Sequence, residues 1–310
     1  MPSNNTPLGA LPARFRRTRI LVVGCGDVGM RLLNQGLRHI KWLALTSTSQ
    51  RQPELRAAGA LPMVGDLDHA ATLARLAGVA HRVVHLAPPA SSGQSDARTR
   101  HLAQALARRS SPRQWIYAST TGVYGDCQGQ WVDEARPVQP QTDRAMRRVD
   151  AENTLRWFGR MKLGQTGIGI LRVPGIYAPN RVGGTPRERL LRGSPILQPS
   201  SDVYTNHIHA DDLARATWLA LWRGRNTRTY NICDDSRWLM GDYFERAAEL
   251  YGLPKPPRVS LAIAQTQLTP MQLSFMSESR RLHNHRMKQE LRLKLHYPDV
   301  LRGLQGLKGA

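Results

Sequence analysis

Arg19-Ile20-Leu21-Val22-Val23-Gly24-Cys25-Gly26-Asp27-Val28-Gly29 is a continuous apolar run that breaks into Gly-x-Gly-x-x-Gly. The run reads as a buried parallel strand and the glycines as a phosphate-binding turn. Gly24 lets the chain leave the strand sharply, Gly26 lets the backbone approach a pyrophosphate, and Gly29 lets the next helix pack closely on the strand. Asp27 and Val28 complete the turn, and the helix aims free N–H groups and its positive dipole end at the anion. Val28, Leu32, Leu33, Leu37 and Ile40 then recur at three- and four-residue intervals, as an amphipathic helix requires. With a strand before it and a helix after it, the turn points to a bound dinucleotide rather than to an ordinary glycine-rich loop.

Outward from this turn, apolar runs alternate with amphipathic stretches. The runs are Ile20–Val23, Trp42–Leu45, Leu61–Val64, Val83–Leu86, Gln114–Ala118 and Ile168–Val173; the intervening helices start at Val28, lie near Glu54 and Leu73, and span Ala97–Ala107 and Ala145–Met161. That order is the signature of an α/β fold, a doubly wound parallel sheet of the Rossmann type with right-handed crossovers. After Pro174 the texture changes to loops rich in glycine and proline. Val203–Ile208 reads as a strand, Asp211 as the N-cap of a helix through Trp222, and Thr229–Ile232 as a last short strand. The expected organisation is a flexible basic tail over 1–17 and a dinucleotide-binding domain over 18–178 with a return at 203–235. A smaller, mostly helical substrate-side domain takes 179–202 and 236–310.

The 310 residues are 41% apolar, as a globular chain requires. No apolar run approaches the length of a membrane span and no apolar secretory segment opens the chain, so the cytoplasm is the expected location. Cys25, Cys127 and Cys233 are scattered, which argues for free thiols. The formal net charge of +21 is the anomaly and asks for an anionic partner. Because the arginines are dispersed and lack a stacking-aromatic motif, a small anionic substrate is preferred to nucleic acid, which the charge nevertheless leaves open.

Several segments, in order, resemble the extended and atypical branches of the short-chain dehydrogenase/reductase superfamily, in the NAD-dependent epimerase/dehydratase family. Besides the glycine turn they are Gly65-Asp66-Leu67, His85-Leu86-Ala87-Pro88-Pro89, Ser119-Thr120-Thr121-Gly122-Val123-Tyr124-Gly125, Leu171-Arg172-Val173-Pro174-Gly175-Ile176-Tyr177, and the unit from Asn206 to Leu213 with Tyr230-Asn231-Ile232. The resemblance implies cofactor contacts from Asp66 and Leu67 near the adenine, from Ala87 and Pro88 along the cofactor, and from Pro174 beside the nicotinamide.

The resemblance also marks a departure. Active relatives carry Tyr-x-x-x-Lys after the Ser/Thr motif; aligned on Ala151-Glu152, those positions are Arg144, 24 residues after Thr120, and Arg148. On a helix, positions four apart share a face. Arg148 can bind ribose hydroxyls and stabilise an oxyanion, but the Arg144 guanidinium, with a pKa above about 12, cannot act as general acid or base. The catalytic candidates are therefore Thr120, Tyr124, Arg144 and Arg148, with Tyr177 a further source of a proton. For the two tyrosines a packed ring with a bonded hydroxyl is the favoured reading.

The loop Leu45-Thr46-Ser47-Thr48-Ser49-Gln50-Arg51 offers hydroxyls and a cation but no carboxylate for a ribose 2′-hydroxyl, so Thr46 and Arg51 suit a 2′-phosphate, and NADP is expected in preference to NAD. His207, His209 and Asp211 alternate along a strand, yet a capping role for Asp211 leaves too few ligands for a metal. Asp133-Glu134 reads as a solvated pair, and Leu282–Leu295 as a packed helix with a basic outer face. The expected function is hydride transfer at a carbonyl or secondary alcohol of an anionic, nucleotide-sugar-like substrate, with Arg181 and Arg187 as anion clamps. A non-catalytic NADP(H) sensor and a nucleic-acid-associated protein are the alternatives.

Overall fold

The computed structural model describes residues 17–35, 39–161 and 166–306. Seven strands form one parallel sheet: β1 (Thr18–Val23), β2 (Ile40–Thr46), β3 (Ala60–Val64), β4 (Arg82–His85), β5 (Gln114–Thr120), β6 (Gly167–Val173) and β7 (Arg228–Asn231). Their order across the sheet is β7-β6-β5-β4-β1-β2-β3. The order reverses between β1 and β4, and that reversal opens a crevice at the carboxyl ends of the strands.

Alternation along each strand divides the core. Ile20, Val22, Trp42, Ala44, Val84, Ile116 and Leu171 face one layer, with α1 (Asp27–Leu33) and α5 (Ala210–Arg223). Leu21, Val23, Leu43, Leu45, Val83, Trp115 and Ile170 face the other, with α3 (Ala97–Ala107) and α4 (Asp143–Met161). A strand buried on both faces is apolar at most positions, which is why Ile20–Val23 of β1 reads as an unbroken run and β6 is broken only by the ion-paired Arg172. Between β2 and β3 lies α2 (Gln52–Ala57). A third cluster gathers Tyr177, Leu190, Ile196, Tyr243, Phe244, Val300 and Leu304 around α6 (Met240–Tyr251), beside the carboxyl ends of the strands. No helix among the described residues is long and apolar enough to cross a membrane.

Several boundaries move. The first helix ends at Leu33 and Ile40 opens β2, so the apolar period was carried across a turn into the next strand; Leu37 lies outside the described residues, as does almost all of the tail expected over 1–17. The strand expected over Val203–Ile208 reduces to His207–His209, paired with Gly175–Tyr177. Asp211 is not the N-cap of α5. His209 is, its Nδ1 accepting from the Asp211 N–H at 3.2 Å, because the Asp211 carboxylate is engaged by Arg31 at 2.5 Å. The helix expected over Leu282–Leu295 is confined to His285–Glu290, but Met287, Leu291 and Leu293 do pack into the core of the sheet. Glu134 is not solvated: its carboxylate accepts from the Asn231 N–H at 2.9 Å in a buried setting, and that burial raises its pKa.

One buried ion pair joins three elements. Glu152 of α4 is wholly buried, accepts from Ser119 of β5 at 2.6 Å, and pairs with Arg172 of β6 at 2.9 Å. Burial alone would raise its carboxyl, but the hydrogen bonds and charge of Arg172 outweigh that and hold it below the ordinary value. Its contribution to stability is thus complete above the ordinary glutamate value and is lost as pH falls through the lower folded value. Glu152→Ala leaves Arg172 buried without its partner, and a loss of about 3–5 kcal/mol in urea unfolding at neutral pH is expected. A variant as stable as the wild type, with the same acid transition, contradicts the assigned role.

Candidate functional site

Around the strand reversal the loops converge as the glycine turn requires. Gly24 has φ +83°, and a Cβ there would lie 2.3 Å from the Ala87 nitrogen of the loop after β4, so only glycine fits. A Cβ on Gly29 would meet the Gly24 carbonyl at 3.3 Å, which keeps α1 tight against the turn. A Cβ on Gly26, by contrast, would meet no atom within 4 Å: the backbone here faces open space. That space is a cavity of about 310 Å³ lined by Gly24, Gly26, Asp27, Val28 and Gly29 on one side and Thr120, Arg148, Pro174 and Arg181 on the other.

A second cavity of about 480 Å³ adjoins it, sharing Thr120, Arg148, Pro174, Ile176 and Arg181 as common wall. Arg148 is fixed there by donating to the Ala118 carbonyl at 2.7 Å and the Tyr117 hydroxyl at 3.1 Å. Arg144, one turn earlier on α4, lies over the Phe275 ring at 4.8 Å. The helix therefore brings both guanidinium groups to one cavity, as their spacing requires. Arg181, Arg189 and Arg280 also line it, and Glu278 is the one carboxylate among the described lining residues. Arg189 packs over the Phe244 ring at 4.3 Å and donates to the Pro195 carbonyl at 3.0 Å, while its Nε has no hydrogen-bond partner. Arg181 holds one end of a chain of charges: Asp27 lies 3.8 Å away, and Arg31 joins Asp27 to Asp211. Such a surplus of positive charge with unmatched donors suits an anion.

Tyr124 is not in the cavity. It is 1% exposed, its hydroxyl donates to Asn231 at 2.7 Å, and burial pushes the phenol up to about 12. The motif's tyrosine has turned into the core beneath Arg172, which lies 4.7 Å over its ring. Tyr177 is equally withdrawn, packed against Gly303 with its hydroxyl 3.5 Å from the Asp299 carbonyl. Arg187 does not line the cavity; Arg189, two residues on, does. Arg189, Glu278 and Arg280 have no sequence signal beyond charge.

The residues expected around the adenine end stand apart from both cavities. The Thr46 hydroxyl donates to the Thr48 carbonyl at 3.1 Å, and Arg51 makes two hydrogen bonds to Glu54, at 2.9 and 3.1 Å. Asp66 is half-buried and accepts from the Asp68 N–H, Leu67 packs into the core, and the exposed Pro88 gives its carbonyl to Arg98. The Cys25 thiol inside the glycine turn is pushed up to about 11 by burial and is unreactive. Among the described residues no three histidine, cysteine or acidic side chains are arranged to hold a metal.

Residues 20–233 match the family model of the NAD dependent epimerase/dehydratase family. A functionally unknown conserved protein from Silicibacter pomeroyi is 30% identical, with 94% of this chain and 98% of that one covered and a TM-score of 0.73. UDP-glucose 4-epimerase from Thermotoga maritima, solved with UDP-glucose, is 19% identical, with 93% and 96% covered and a TM-score of 0.75. A nucleoside-diphosphate-sugar epimerase from Pseudomonas aeruginosa is 20% identical, with 93% and 96% covered and a TM-score of 0.73. No curated protein matches. The chain belongs to the NAD dependent epimerase/dehydratase family, and a nicotinamide dinucleotide is the cofactor that membership assigns to it.

The open face of Gly26 fits the pyrophosphate of that cofactor. Gly26→Asp directs a carboxylate into that space from a Cβ that meets no atom within 4 Å, so the fold should survive. Calorimetry is expected to find dinucleotide affinity reduced by a factor of about 100 or more, with an unchanged melting curve. Undiminished binding moves the cofactor elsewhere.

Proposed function

We propose, from this family membership and the two joined cavities, that the protein is an oxidoreductase. It transfers hydride between a nicotinamide dinucleotide and a carbonyl or secondary alcohol of a phosphate-bearing substrate of the nucleotide-sugar type. The observation that carries the reading is the shared wall: Thr120, Arg148, Pro174 and Arg181 face both the glycine crevice and the arginine-lined cavity. A ring bound along the first cavity then meets a substrate bound in the second. The bound dinucleotide supplies the hydride donor or acceptor. The chain supplies the rest: Gly24–Gly29 cradle the pyrophosphate, Arg148 holds ribose hydroxyls and stabilises a developing oxyanion, and Thr120 orients the substrate oxygen. Arg181 and Arg189 clamp the anionic group, with the surplus of guanidinium groups in the cavity excluding neutral competitors.

NADP is the proposed form of the cofactor, because the β2 end offers hydroxyls and Arg51 but no acid. Arg51 must exchange Glu54 for the 2′-phosphate, so the preference should be modest and Arg51→Ala should narrow it. Thr46, Asp66, Leu67, Ala87 and Pro88 are proposed along the adenine end. A second reading, a regulator that binds the cofactor without turning it over, draws on Arg144 standing where active relatives have a tyrosine. The proposed location is the cytoplasm, and the proposed partner is the small anionic substrate; nucleic acid is a lesser partner on charge alone.

UDP serves as a substrate-side probe. Arg189→Ala and Arg181→Ala are each expected to weaken UDP binding by about 10- to 100-fold in calorimetry, since each removes a charge-assisted contact. Arg189→Ala, outside the glycine cavity, should leave NADPH bound by Gly26 and its neighbours. NADP+ that binds together with UDP in the wild type, without any rise in nicotinamide fluorescence when UDP-sugars are supplied, would favour the regulator.

A further inference from the structure

We propose that Glu278 is the residue that takes the proton from, and returns it to, the substrate oxygen in this protein. The proposal rests on the hydride-transfer reading above and supplies the group that reading lacks. Arg144 stands where active relatives carry the tyrosine, and a guanidinium does not release a proton near neutral pH. Tyr124 and Tyr177 are buried and turned away from the cavity. Among the lining side chains, His207 is sealed between Tyr177 and Tyr243, and burial lowers it to about 3, so it stays neutral. Tyr243 is itself buried, which raises its phenol. The Thr120 hydroxyl is too weak an acid to serve alone, and it accepts from the Gly122 N–H at 3.3 Å.

Glu278 has the placement these groups lack. Its side chain is 9% exposed, so its surroundings fix it, and its Oε2 lies 3.9 Å from the point where a Cβ on Gly122 would sit, two residues from Thr120. Its carboxylate is held by Arg280 at 2.8 Å, and Arg280 is itself anchored on the Gly125 carbonyl at 2.8 Å. Arg144 faces it across the cavity as a second positive charge. Tyr204, the other phenol in the lining, packs against Gly129 and under Arg281 at 4.7 Å.

In the oxidation direction the substrate O–H bond breaks and its proton passes to Glu278. The electron pair of the adjacent C–H bond leaves as hydride to the oxidised nicotinamide dinucleotide, the carbonyl forms, and reduction reverses both transfers. The carboxylate is the acceptor in oxidation, and the carboxylic acid is the donor in reduction.

The test compares wild type, Glu278→Gln, Glu278→Asp and Tyr204→Phe with NADP+, NADPH and a panel of UDP-sugars, alongside carboxyl carbon NMR. Glu278→Gln should bind NADP+ as the wild type does and lose turnover by about 100-fold or more. Glu278→Asp should keep measurable turnover at a lower rate, and Tyr204→Phe should turn over as the wild type does. The one glutamate carboxyl signal missing in Glu278→Gln should move in the wild type on adding NADP+ and UDP-glucose. A wild type that turns over while Glu278→Gln keeps its rate overturns the proposal alone, as does loss of turnover in Tyr204→Phe. A wild type inert toward the whole panel overturns the hydride-transfer reading and this proposal with it.

Discussion

The site depends on the buried contact of Glu152 with Arg172 and Ser119. Ser119 precedes Thr120 at the end of β5, Arg172 precedes Val173-Pro174 at the end of β6, and Glu152 lies one turn beyond Arg148 on α4. A single wholly buried carboxylate thus fixes the relative positions of Thr120, Arg148 and Pro174, the residues that wall both cavities. The ion pair is costly to bury, and an apolar trio of similar volume could pack at least as well. What an apolar trio lacks is direction: three charge-assisted bonds set one register between a helix and two strands, and the catalytic end of each element inherits that register.

With that frame fixed, the chemistry turns on charge. Active relatives place a phenol and an ammonium on α4; this chain places two guanidinium groups on the same face. On the proposed hydride-transfer reading, the change replaces a proton-transfer pair with an anion-binding pair, and the proton comes from another element. Glu278 reaches the cavity from the far side, on the segment after α6, and brings Arg280 with it. The cavity therefore combines a strongly positive lining with a lone carboxylate at the turn where the substrate oxygen is expected. Separating the binding charges from the proton carrier in this way lets each be fixed by its own partners: Arg148 by Ala118 and Tyr117, Glu278 by Arg280.

The central strands were legible in the sequence because burial on both faces imposes largely apolar runs, and the bounds expected for α3 match those found, with Asp96 capping its first turn. The glycine turn was legible because Gly24 answers to sterics that no other residue meets and Gly29 sits in tight packing against Cys25 and the Gly24 carbonyl. Elsewhere periodicity misled: Ile40 continued the spacing of α1 by coincidence, and the leucines after Leu282 pack on the sheet mostly from irregular chain. Capping was misassigned at Asp211 because sequence does not reveal that Arg31, 180 residues earlier, claims that carboxylate. Glu278 and Arg189 were invisible for a similar reason. Their role comes from tertiary placement beside Gly122 and Phe244, and neither lies in a motif of its own.

The central claim is that a nicotinamide ring bound along the glycine crevice ends at the wall formed by Thr120 and Arg148, with Glu278 and the arginines beyond it. A crystal structure with NADP+ and UDP bound tests this most directly. The account predicts the pyrophosphate over Gly26, the reactive C4 carbon facing the second cavity beside Thr120, the Glu278 carboxylate on the same side, and the UDP phosphates on Arg181 and Arg189. A dinucleotide whose ring turns away from that wall, or UDP phosphates held outside the arginine-lined cavity, would contradict it.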